Sequence, residues 1–189
     1  MAAPLSPSAH FQIADTTHAN RLMMLPFENH LKNKDPAIGE AALDTFQAAL
    51  INASQKPFRV IDRKQIKSML AELAFSESAL SDPSKALKMG QMLSANYMLS
   101  GAIAAGKIHT SEVTDVEPTE FTWVSVTVNT TLTHVETGEV LFSAKTTAES
   151  KRYPDWKGET YTSILIEATE KAVTQLAQKL IQAQNKGNG

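Results

Sequence analysis

The residues of this chain best spaced for chemistry are Gly101-Ala-Ile-Ala-Ala-Gly106-Lys107, the first seven positions of a phosphate-binding P-loop. The eighth should be Ser or Thr, to hold Mg²⁺, and it is Ile108. A P-loop must also open a helix, whose N-terminal amides cradle phosphate. Ile108-His-Thr-Ser instead leads into a stretch rich in Thr, Glu and Asp without helical periodicity, read as a loop. Two glycines at the end of a central strand point to close packing or a bend. The five histidines are His10, His18, His30, His109 and His134, and no pair has the i, i+4 spacing of a helical metal site. His109 and His134 lie on or beside strands that could be neighbours, but no carboxylate stands at ligand spacing. No G-x-S-x-G elbow occurs. Asp44, Glu72, Glu77 and Glu170 fall on wet faces or loops, so no buried acid pair with separated pKa values is expected. The expectation is no catalytic residue, no cofactor and no metal.

The large aromatics say more. Phe121 and Trp123 fall on the polar alternation of their strand, with Thr127 and Thr131 farther along it, while Tyr153 and Trp156 sit in the link before the last helix. The plainer account, given ample chain, is that the link folds across the sheet and Trp156 covers Trp123. Otherwise these six residues are candidates for a protein interface.

Several elements must position such a surface. Arg21–Phe27 reads as a short buried strand. Asp35-Pro36 is a helix start, followed by Ile38, Ala42, Phe46, Ala49 and Leu50 on one face. Phe58–Ile61 is a second strand. It leads into a helix capped by Asp62, with Gln65 at the capping-box position and Ile66, Met69, Leu70 and Leu73 as its stripe. Ser81-Asp82-Pro83 starts a third helix that turns Leu87 and Leu93 inward; Gly90 within it signals close packing. Tyr97–Ile103 is apolar on both alternating sets, as a central strand is. Phe121–Val135 alternates Val124, Val126, Val128 and Leu132 with polar residues, turns at Glu136–Glu139, and returns through Val140, Phe142 and Ala144. Tyr161, Leu165, Ala168, Ala172, Leu176 and Leu180 stripe a long final helix. The order is βαβααβ, a β-hairpin, then α: an α/β fold with a single mixed sheet of about five strands and helices mainly on one face. A leader over 1–20, a domain over 21–184 and a frayed tail over 185–189 are expected.

Composition excludes several functions. Of the 189 residues 42% are hydrophobic and 20% charged, so one core can form without staples. A net charge of −2 with both signs interspersed argues against nucleic acid. With no cysteine there is no disulfide, thiolate site or thiol nucleophile. No apolar run approaches the roughly 20 residues of a spanning helix. The Pro/Ser/Ala-rich start lacks the basic and apolar regions of a signal peptide; loss of an export signal or a lipidated cysteine upstream of Met1 would account for it.

Three segments in order resemble the CsgG family of curli secretion lipoproteins. They are Arg59-Val-Ile-Asp-Arg63 with its helix, Ala86–Gly101, and Val126–Val140 containing His134-Val-Glu-Thr-Gly-Glu-Val140. The same features occur in LpoB-type activators of penicillin-binding proteins, whose domain is related to the TolB N-terminal domain. The long last helix favours the CsgG side. The gaps Lys107–Glu120 and Ala148–Gly158 are short, and neither shows the paired alternating segments of a membrane hairpin. Glu28–Lys34 is short for a constriction loop. The resemblance therefore implies a non-catalytic, periplasm-facing assembly or secretion module without a pore, with membrane contact only through a lost lipid anchor. It would bind an envelope partner, or further copies of itself, through the Thr-rich sheet face or the outer face of helix 36–52. The alternative is an LpoB-like activator of a peptidoglycan synthase.

Overall fold

A computed structural model of the chain describes residues 20–186, apart from 55, 57, 75, 114–118 and 153–160. Three helix starts follow from local chemistry. Asp35 Oδ1 accepts from the Ala37 amide at 3.0 Å to open α1, Pro36–Ile51. Asp62 Oδ1 accepts from Lys64 N at 2.8 Å to open α2, Arg63–Glu72. Asp82 Oδ1 accepts from Ser84 N at 3.0 Å to open α3, Pro83–Met92. Each carboxylate satisfies an amide that the helix itself leaves unpaired. Asp82→Ala is expected to cost about 1 kcal/mol, seen as a fall of a few degrees in Tm.

The strands are β1 (Arg21–Met24), β2 (Glu28–Asn29), β3 (Arg59–Val60), β4 (Tyr97–Val113), β5 (Thr119–His134) and β6 (Val140–Arg152). They form one mixed sheet in the order β3-β1-β4-β5-β6, with β2 also pairing β4. The β1, β2 and β3 pairings are parallel, whereas β4-β5 and β5-β6 are antiparallel. The first predicted strand, Arg21–Phe27, is thus shorter than expected, ending at Met24, and the two-residue β2 follows beyond it.

Alternation sorts the core. Leu22, Leu99, Ile103, Val124, Val126, Val128 and Leu132 face α1 and α4 (Tyr161–Lys186). The stripe of α4 is buried at Leu165, Ala168, Ala172, Leu176 and Leu180, whereas Tyr161 is exposed at 38%. The two longest helices thus cover one face. Met23, Leu25, Met98 and Val135 face the opposite way, against α2, the 3-10 helix Glu77–Ser81, and α3. That smaller second layer was not foreseen from periodicity. Gly90 lets it close on the sheet: a Cβ there would stand 3.1 Å from Val135.

The expected Lys107–Glu120 loop is a correction. β4 runs on to Val113, and Ala105–Val113 pairs with Thr119–Thr127 after a bulge at Ala104. Likewise β6 extends to Arg152, into the expected link. These arms lack a continuous apolar face, so alternation alone did not mark them; pairing with β5 forms them. At the C-terminus, α4 continues to Lys186, into the expected tail.

Candidate functional site

The P-loop match lies inside β4, so its amides serve the sheet rather than open a helix. Gly101 and Gly106 are glycine for steric reasons, with Cβ positions 2.3 Å from Phe27 and 2.9 Å from Leu31. His109 pairs with Trp123, and His134 with Tyr97, at opposite ends of β4–β5. The eleven residue steps of β5 from Trp123 to His134 span roughly 35 Å, so the two histidines form no common site. His134 Nδ1 lies 3.2 Å from the Thr137 hydroxyl, and its ring meets Tyr97 edge-on at 5.7 Å. No cluster of potential metal ligands occurs among the described residues.

Burial pushes the Tyr97 phenol above its usual pKa of 10.0. The unfolded chain would ionise first, so this group leaves stability level below pH 10.0 and lowers it as pH rises toward the folded pKa. Tyr97→Phe is expected to lose that alkaline decline, checked by urea unfolding between about pH 8 and about pH 11.

Among the described residues, no helix covers the far part of one sheet face. Trp123, Ser125, Thr127, Asn129 and Thr131 alternate with the buried Val124, Val126, Val128 and Thr130, and the Thr127 and Thr147 hydroxyls sit 2.8 Å apart. Where the α3 layer stops, this face deepens into a groove of about 530 Å³. Its floor is Met98, Ser100 and Ala102 on β4, Asn129, Thr131 and Thr133 on β5, and Val140 and Ser143 on β6. Leu80, Pro83, Ala86 and Leu87 form one wall, and Leu25–Glu28 lie at another side. Asn129 Oδ1 accepts from Ala102 N at 3.0 Å, which fixes its amide in the floor.

Of the six expected interface residues, Thr131 lines the groove. Thr127 and Trp123 are half-buried on the same face farther along β5. Phe121 lies in β5, paired with Ser111; its side chain, Tyr153 and Trp156 lie outside the described residues. Trp123 and Thr131 are roughly 26 Å apart along the strand, so these residues do not converge. Leu80, Leu87 and Val140 were missed. Val140, expected on the returning strand with Phe142 and Ala144, is 57% exposed, whereas Phe142 is buried. A bulge sets Leu132 against Phe142 and Thr133 against Val140, so Val140 faces the groove. The signal was a glycine turn too long for a two-residue hairpin, the kind that brings a bulge.

The fold is an open-sheet α/β scaffold with a single mixed sheet. A family model described as peptidoglycan-synthase activator LpoB matches residues 37–148, more than half of the chain. The chain belongs to the LpoB family. The match begins in α1 and ends in β6, so it spans most of the groove and leaves α4 outside. The LpoB C-terminal domain from Salmonella enterica superposes with a TM-score of 0.50 at 20% identity, over 71% of this chain and 86% of that one. Lipoprotein GNA1162 from Neisseria meningitidis gives 0.51 at 14% identity, over 84% and 98%. A putative neuraminyllactose-binding hemagglutinin homolog from Helicobacter pylori gives 0.53 at 10%, over 98% and 95%. At such identities the likeness concerns the fold. No curated protein sequence matches the chain.

Proposed function

We propose that this chain is a non-catalytic activator of a peptidoglycan synthase, a penicillin-binding protein, and that it docks through the groove on its uncovered sheet face. The LpoB family match over residues 37–148 is the observation that supports this reading most. The groove agrees with it: apolar Ala102, Leu80, Leu87 and Val140 are mixed with fixed polar groups such as Asn129, as in the centre of a protein interface. Such an activator changes the synthase by binding one of its conformations more tightly than another. It must share the synthase's compartment, hence a periplasmic location. Fractionation of cells expressing the complete gene checks that placement; recovery in the cytosol alone would refute it.

Titration of the purified chain into a purified penicillin-binding protein tests the main claim. Saturable binding with a rise in glycan polymerisation or crosslinking is the expected result. Absence of binding, or binding with unchanged rates, would overturn it. α4 favours a second reading, a CsgG-type secretion accessory, because this helix lies beyond the LpoB match. Under that reading the synthase is neither bound nor stimulated.

A further inference from the structure

β6 closes one side of the sheet and, among the described residues, has a strand neighbour only at β5. The hydrogen-bond phase shows which of its groups are left over. His134 N donates to Glu139 O, and Val135 N donates to Asn96 O. Even-numbered positions of β5 therefore bond toward β6 and odd-numbered ones toward β4. Carried across the β5–β6 register, this leaves the odd-numbered backbone groups from 143 to 149 pointing away from the sheet.

Two of those outward carbonyls are occupied from α4. Lys179 Nζ donates to Lys145 O at 3.3 Å, and Lys171 Nζ donates to Glu149 O at 3.5 Å. The spacing is matched: eight residues of helix rise about 12 Å and four of strand about 13 Å. Exposed strand edges invite pairing with another chain, and lysines at such an edge oppose it.

The sequence of this edge is complementary to itself. An antiparallel pairing of two β6 strands about a two-fold axis at Thr147 sets Thr147 against its copy. It also sets Lys145 against Glu149 twice, with side chains on the uncovered face. In that register the partner's Glu149 and Lys145 amides donate to the two carbonyls that Lys179 and Lys171 now cap. We propose that β6 is a strand-addition surface for a second copy of this chain, in the register centred on Thr147 and held in check by Lys171 and Lys179. The pairing is isologous, so it closes at a dimer.

The chain has no cysteine, which makes a crosslinking test clean. In the proposed register the Cα atoms of position 147 in the two copies are about 5.5 Å apart, within disulfide reach, whereas those of position 143 are roughly 26 Å apart. Under mild oxidation of the full chain, Thr147→Cys is expected to give a covalent dimer and Ser143→Cys is not. Adding Lys171→Ala and Lys179→Ala should raise the Thr147→Cys yield several-fold. Sedimentation of the cysteine-free proteins provides a second readout. Lys145→Glu or Glu149→Lys alone should weaken the dimer roughly tenfold by placing like charges opposite one another, and the two together should restore it. Crosslinking at 147 no greater than at 143 in both lysine backgrounds would overturn the proposal. So would a charge swap that fails to restore what either single change removes.

Discussion

Gly101→Val is expected to cost at least about 3 kcal/mol and to leave much of the protein unfolded at 37 °C, as circular dichroism and urea titration would show. Gly101 lies in β4, where its Cβ position is 2.3 Å from Phe27 Cε1, 2.6 Å from Cδ1 and 2.7 Å from Cζ. The ring cannot swing aside. Phe27 is 5% exposed and lies 6.1 Å, centroid to centroid, from Phe46, a wholly buried residue of α1. Added methyls would therefore push on α1 and on the Leu25–Glu28 segment that borders the groove. The coupling can be tested directly. Phe27→Leu removes part of the ring, so Gly101→Ala should cost clearly less beside Phe27→Leu than alone. Additive costs would show that the strain falls elsewhere.

How far the sequence predicted these features depended on whether each was fixed locally. Asp35, Asp62 and Asp82 were legible because a cap needs only its own first turn. Gly90 was legible as a packing glycine, and Val124 to Leu132 as the buried side of a strand, because each breaks or keeps a period. What depends on distant pairing was hidden. Residues 107–113 read as a loop and became strand only because β5 supplies their partners. A one-residue bulge sets Val140 on the opposite face from Phe142, toward the groove. Leu87 was expected inward, yet it is only partly buried, because the layer it belongs to ends beside it. Of the residues proposed for a binding surface, Thr131 lies in the groove and Thr127 on the same sheet face, whereas the apolar wall at Leu80 and Leu87 was not read as part of it.

That apolar end is where the largest effect on binding is expected. Val140→Asp and Leu87→Asp should each weaken association with the synthase about 30-fold or more, measured by calorimetry, with Tm nearly unchanged for Val140→Asp. Leu87 sits in the wall, its Cδ1 about 3.9 Å from where a Cβ on Gly138 would be, and Val140 lies in the floor. A partner side chain seated between them would be dry, and burying a carboxylate there without a counter-charge costs at least the roughly 2 kcal/mol of a typical hot spot. Folding is spared at position 140 because the residue already meets water there. Ile51→Asp is the control: it is 48% exposed at the end of α1, whose helix layer covers the opposite face of the sheet. A change confined to the groove variants would set the sheet face apart from the outer face of helix 36–52. Loss of affinity with Ile51→Asp, and none with Val140→Asp, would move the docking surface to α1.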